Sequence, residues 1–159
     1  MILQIVGYKN SGKTTLMEHT IALLKAHNLR VVTIKNHGHI DDEITLQHSN
    51  VDHMKHFNAG ADQAIVQGNY VQQSVTRQPK QNLSTLIDSS VTIDCDITLV
   101  EGFKHEDFDK VVIYRDQEAL TELLTLTNVQ YSLTLNDQEA LNDYNLWLRS
   151  FITAKGLIT

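Results

Sequence analysis

Several things are scarce in this 159-residue chain, and each scarcity narrows what it can be. Cys95 is the only cysteine, which excludes an intrachain disulfide and a zinc site built from cysteines. Pro79 is the only proline, so extended polyproline stretches and Pro-rich linkers are absent. Aromatic residues make up 6%, and no apolar run approaches the length of a membrane span. Basic residues are outnumbered 13 to 19, giving a net charge of −6, which argues against a nucleic-acid or anionic-membrane surface. No basic stretch followed by an apolar one marks a targeting segment at the start, and the expected location is the cytoplasm.

What remains is an ordinary globular composition, 42% apolar and 20% charged, at a length that suits one domain over 1–159 with a real core. No internal repeat, low-complexity tract or linker divides it.

The strongest local signal lies near the start. An apolar run, Ile2-Leu3-Gln4-Ile5-Val6, leads into Gly7-Tyr8-Lys9-Asn10-Ser11-Gly12-Lys13-Thr14, with Thr15 following and a helical periodicity beyond. This is a strand, a G-x-x-x-x-G-K-[ST] loop and a helix, the context that a phosphate-binding P-loop requires. Gly7 and Gly12 permit a tight turn in which successive N–H groups converge on phosphate oxygens. The helix start adds unpaired donors and the positive end of a dipole. Lys13 would reach the β/γ-phosphates, and the Thr14 hydroxyl is placed to ligand Mg²⁺.

The rest of the chain reads as alternating elements. Leu16, Met17, Thr20, Ile21, Leu23 and Leu24 share a helical face over 13–27, and Val31 to Ile34 predicts a buried strand ending at Lys35. Strand, helix and strand in this length imply a parallel βαβ unit. Residues 37–49, with Asp41, Asp42 and Glu43, predict a loop near the nucleotide. Ser49-x-x-Asp52 has the form of a capping box opening a short helix that ends at Ala59-Gly60-Ala61. A hairpin is predicted around Gly68-Asn69, a helix over 82–90, and strands over Ile97–Val100, Lys110–Tyr114 and, more weakly, Leu123–Leu126. A helix with Leu141, Tyr144, Leu148, Phe151 and Ile152 on one face runs from Asn136-Asp137 to about Lys155. The fold class expected is α/β: a mostly parallel sheet flanked by helices, of P-loop NTPase type, with an added β-hairpin.

Glu101, at the end of an apolar strand, has two readings. It is either a Walker-B-like acid serving Mg²⁺ or a strand-terminal acid facing solvent; the loop upstream favours the first. His37, His39, His48, His53 and His56 cluster, but with no cysteine beside them they read as polar residues near a phosphate site rather than as a metal clamp. Cys95 reads as an inert small residue.

The loop, Thr33-Ile34-Lys35, Asp52, Ala59-Gly60-Ala61 and above all Leu99-Val100-Glu101-Gly102-Phe103-Lys104-His105 resemble the MobB family, the P-loop proteins of molybdopterin-guanine dinucleotide biosynthesis. The likeness continues through Lys110 to Asp116 and returns at Asn136-Asp137. It implies a dimeric protein that binds GTP with Mg²⁺, hydrolyses it weakly, and assists a separate molybdenum cofactor guanylyltransferase of the MobA type, which joins GMP to molybdopterin. By matching positions it implies that Gly7 to Thr15 hold phosphates, that Thr14 and Glu101 serve the metal, with Lys13 and Glu101 as catalytic groups, and that Lys35, Asp52 and Lys104 lie near the same pocket.

The chain departs from that pattern in places. It has Lys35-Asn36-His37-Gly38-His39 where the family has a denser Lys-His-x-His-His, and Asn50-Val51-Asp52-His53 where the family has Gly-Lys-Asp-Ser. Its segment between Asp116 and Asn136 is short. No Asn-Lys-x-Asp guanine reader is present, and Thr127-Asn128 reads as a turn, so GTP is expected from the resemblance alone. Two alternatives share the loop. A small-molecule kinase would need an arginine-rich lid, whereas Arg30, Arg77, Arg115 and Arg149 are scattered; a metal-inserting maturation GTPase would use the histidines.

Overall fold

The computed structural model describes residues 1–37 and 44–159. Five parallel strands form one sheet: β1 (Ile2–Val6), β2 (Val31–Lys35), β5 (Ile97–Glu101), β6 (Lys110–Ile113) and β7 (Val129–Leu133), in the order β2-β5-β1-β6-β7. Strands β3 (Gln63–Gln67) and β4 (Gln72–Thr76) form a separate antiparallel hairpin, closed where Gly68 N donates to Val71 O at 2.8 Å. The expected α/β class, parallel sheet and added hairpin are all present.

Alternation along β1 sorts its side chains to two faces. Leu3 and Ile5 join Ile97, Leu99, Val111 and Ile113 in the main core, under helices α1 (Lys13–Ala26) and α5 (Ala140–Ala154). Val6 and Val112 point the other way, to Leu123 of helix α4 (Gln117–Leu123). Leu16, Met17, Thr20 and Leu24 are the buried stripe of α1. At the α1–α5 contact the Thr20 hydroxyl lies 2.7 Å from Leu16 O and 2.7 Å from the Tyr144 phenol. Thr20 has one proton and spends it on the carbonyl, so Tyr144 is the donor to Thr20. Burial pushes the Tyr144 phenol far above its usual range, which keeps it protonated.

Four expectations are corrected. The strand β2 lies at the sheet edge and is only half-buried, because β5 inserts between it and β1; α1 crosses over β5 on the way. The stretch Leu123–Leu126 is not a strand: α4 occupies 117–123, started by Asp116, whose carboxylate accepts from Ala119 N at 2.9 Å, and the strand follows at 129–133. The short helix α2 (Asp52–Asn58) has Val51 at its N-cap and no side-chain cap, so the Ser49–Asp52 capping box does not form. The last helix begins at Ala140, after a turn over 134–137. Helix α3 (Leu83–Ser90) falls where expected, capped by the Asn82 side chain on Thr85 N.

Candidate functional site

The loop between β1 and α1 turns through two left-handed residues, Asn10 (φ 61°) and Gly12 (φ 96°), with Ser11 between them. Such alternation points successive N–H groups into one concavity and makes an anion nest. Gly12 is the N-cap of α1, and no side chain makes a capping hydrogen bond there. Gly7 is required by space: a Cβ there would fall 2.2 Å from Ile113 O and 2.7 Å from Ser11 Oγ. The Ser11 hydroxyl itself is buried and has no hydrogen-bond partner among the described residues. An orphaned buried hydroxyl at the start of a helix fits an anion better than an apolar group.

Glu101 enters from the side. Ile97, Leu99 and Glu101 alternate onto the α1 face of β5, so the last of them meets the helix start. The Thr14 hydroxyl donates to Glu101 Oε2 at 3.4 Å, and Lys35 Nζ lies 3.0 Å from Glu101 Oε1. Lys35 and Glu101 are register partners on adjacent parallel strands, which is why their side chains share a face. Glu101 is therefore buried and directed into the loop, not a solvent-facing strand end. Lys13 Nζ donates to Tyr8 O at 2.6 Å; burial pushes its ammonium below the usual lysine range, with Glu101 pulling it back and Lys35 adding to the push.

A hydroxyl and a carboxylate are hard oxygen donors, the set that Mg²⁺ prefers. Together with the nest and the Lys13 ammonium they fit a magnesium–phosphate group, Thr14 and Glu101 taking the metal side and the loop N–H groups the phosphate oxygens. Lys9, Asn10, Gly12, Lys13, Thr14, Thr15, Lys35 and Glu101 surround a cavity of about 300 Å³. A second cavity, about 760 Å³, adjoins it and is bounded by Gly7, Tyr8, Phe103, Lys104 and His105, with Lys9, Lys13, Lys35 and Glu101 shared between the two. Lys104 Nζ stands 5.1 Å from the Tyr8 ring centroid.

Asp52 lines neither cavity; its exposed carboxylate pairs with Lys55 at 2.9 Å. Asn128 adopts φ 56° and donates to Asp107 at 2.8 Å, a turn residue ahead of β7. Of the histidines, His37 borders the larger cavity, His53 and His56 are on α2, and His39, like Asp41, Asp42 and Glu43, lies outside the described residues. Among the described residues no group of three or more His, Cys, Asp or Glu could hold a metal ion.

Sequence reading missed two buried polar residues that shape the loop after β5. Gln4 Nε2 donates to Gly102 O (3.1 Å) and Phe103 O (2.7 Å). Lys110, fully buried, donates to Glu106 O and, at 2.9 Å, to Phe108 O. Burial pushes the Lys110 ammonium down, and the nearby Asp107, Asp109 and Glu106 carboxylates oppose that. A polar residue inside an apolar strand was the available signal in both cases, since such a group survives burial only when it is partnered.

A family model described as "Molybdopterin guanine dinucleotide synthesis protein B" matches residues 2–134. The chain is 35% identical over 128 residues, 80% of its length and 72% of the relative's, to the "Probable molybdopterin-guanine dinucleotide biosynthesis adapter protein" of Bacillus subtilis. It is 35% identical over 120 residues to the adapter protein of that pathway from Haemophilus influenzae, matching 73% of this chain and 64% of that one. Its fold superposes on the crystal structure of a MobB protein homolog from Bacillus stearothermophilus with a TM-score of 0.74, at 28% identity, covering 96% of this chain and 98% of the other. The chain belongs to the MobB family.

Proposed function

We propose that this member of the MobB family binds GTP with Mg²⁺ in the glycine-rich loop, hydrolyses it weakly, and serves as an adapter to a separate guanylyltransferase in molybdopterin-guanine dinucleotide synthesis. The observation that carries this reading is the meeting of Thr14 and Glu101 at the mouth of the anion nest. Two hard oxygens beside a phosphate cradle suit a metal-bound triphosphate better than a bare anion. The adapter role is taken from what the relatives are called. The larger neighbouring cavity suits a protein that brings nucleotide and molybdopterin close together.

Calorimetry with GTP and ATP, each with and without Mg²⁺, tests the first part. Micromolar GTP binding that weakens without metal is expected, and equal, metal-independent binding of both nucleotides would overturn it. Mixing with the guanylyltransferase tests the second: no change in the rate of cofactor guanylylation at any GTP concentration would remove the adapter role.

We further propose a homodimer formed through the β3–β4 hairpin. One face of the hairpin packs through Ala64 and Val75 on Met54 and Phe57 of α2, and the pair leaves Ile65 57%, Tyr70 98% and Val71 74% exposed. Light scattering should give twice the chain mass, falling to the monomer in Ile65→Glu/Val71→Lys.

A further inference from the structure

Gln4 and Lys110 are register partners on the adjacent parallel strands β1 and β6. Both alternate onto the sheet face that carries Val6 and Val112, and both are fully buried. The loop over 102–109 is bonded to each of them. Its carbonyls take the amide hydrogens of Gln4 at Gly102 O and Phe103 O. They also take two of the three ammonium protons of Lys110, at Glu106 O and Phe108 O.

Two hydrogen-bonding capacities are left over beneath that loop. Gln4 Oε1 is buried and has no partner among the described residues. Turning the amide over does not help, because its oxygen would then face two carbonyl oxygens. Lys110 keeps a third proton, and a buried ammonium needs each of its protons accepted. No carboxylate takes that proton, since none among the described residues lies within ion-pair distance of Lys110. The acids beside it in the chain are engaged elsewhere. Glu106 accepts from Leu83 N at 3.4 Å, Asp107 accepts from Asn128 Nδ2 at 2.8 Å, and Asp109 pairs with Lys155 at 2.7 Å.

An orphan acceptor and a spare donor thus stand on neighbouring strands with no hydrogen bond joining them. The ammonium disfavours a metal cation between them, and the amide oxygen disfavours an anion. Water, which both donates and accepts, suits the pair. We propose that one water molecule is enclosed between Gln4 and Lys110, accepting the third ammonium proton and donating to Gln4 Oε1. Its other hydrogen is left for a loop carbonyl, each of which keeps a second lone pair. The water joins β1, β6 and the loop that follows Glu101 into one polar unit. This site is independent of what the glycine-rich loop binds.

A crystal structure of the full chain, at a resolution that places solvent, should show an ordered water about 3 Å from both Gln4 Oε1 and Lys110 Nζ. In solution, ¹⁷O magnetic relaxation dispersion counts waters held far longer than those of the surface. Lys110→Met should lower the dispersion amplitude by one water. Asn128→Gly is the control for a loop that merely loosens: it releases Asp107 on the same loop and should leave the amplitude unchanged. Lys110 Nζ bonded directly to Gln4 Oε1, or no density between them, would overturn the proposal. So would equal amplitudes in the wild type and Lys110→Met, or an equal loss in both variants, which loop opening alone would explain. Should Lys110→Met not fold, the crystal structure decides by itself.

Discussion

The Lys35 ammonium sits 3.0 Å from Glu101 Oε1, on the carboxylate whose other oxygen faces Thr14. Glu101 is nearly buried and Lys35 about half exposed, so the mobile partner of the pair is the lysine. A divalent ion arriving at Glu101 meets a positive charge already in place. Lys35→Met should therefore tighten Mn²⁺ binding to the nucleotide-free protein several-fold, read by the loss of the free-ion signal in electron paramagnetic resonance. Unchanged Mn²⁺ affinity would show that the ammonium does not compete.

Gly7→Ala tests the packing of the loop. The new methyl would collide with a backbone carbonyl, Ile113 O, which has little room to move. The expected cost is about 1–3 kcal/mol, read as a lower melting temperature by about 2–4 °C per kcal/mol. Gly68→Ala is the control: its Cβ would meet only Val71 O at 3.5 Å, and stability should change by less than about 0.5 kcal/mol.

Lys110→Met removes the donor that holds Glu106 O and Phe108 O. Baring a buried carbonyl costs about 1–3 kcal/mol, offset in part because the buried charge disappears with it. A net loss of about 2 kcal/mol in denaturant unfolding is expected, with faster amide exchange confined to residues 102–109. A variant as stable as the wild type would mean that the loop holds itself.

The Lys13 ammonium is pushed below the usual lysine range, chiefly by burial. Between that lowered value and the unfolded one, about 10.4, the unfolded chain binds more protons than the folded one. This group's contribution to stability therefore rises with pH through the window. Phosphate binding has the opposite sign, since it needs the ammonium charged. Affinity for the GTP analogue should begin to fall below the ordinary lysine value as pH rises, and a flat profile up to that value would argue against Lys13 as the phosphate contact.

Local pattern made much of this protein legible. Apolar Ile2–Val6, the glycine pair at 7 and 12, the α1 stripe and the hairpin at Gly68 are short-range features, decided by backbone sterics and side-chain periodicity within a few residues. The errors arose where two local readings competed. Leu123 to Leu126 passes for a strand until the Asp116 cap and the spacing of Leu120 and Leu123 are weighed, and Ser49–Asp52 matches a capping box that the backbone does not form.

The sequence by itself determined that this chain carries a glycine-rich loop between a strand and a helix, and that an acid ends a later buried strand. Only the tertiary structure decided that these meet. Strand order is a long-range choice, and with β5 seated between β1 and β2, Glu101 stands beside Thr14 on one side and Lys35 on the other. Thr14 and Lys35 share the carboxylate of Glu101, 87 positions along the chain from Thr14, because the parallel register aligns the strand ends, and no spacing within the sequence encodes that alignment.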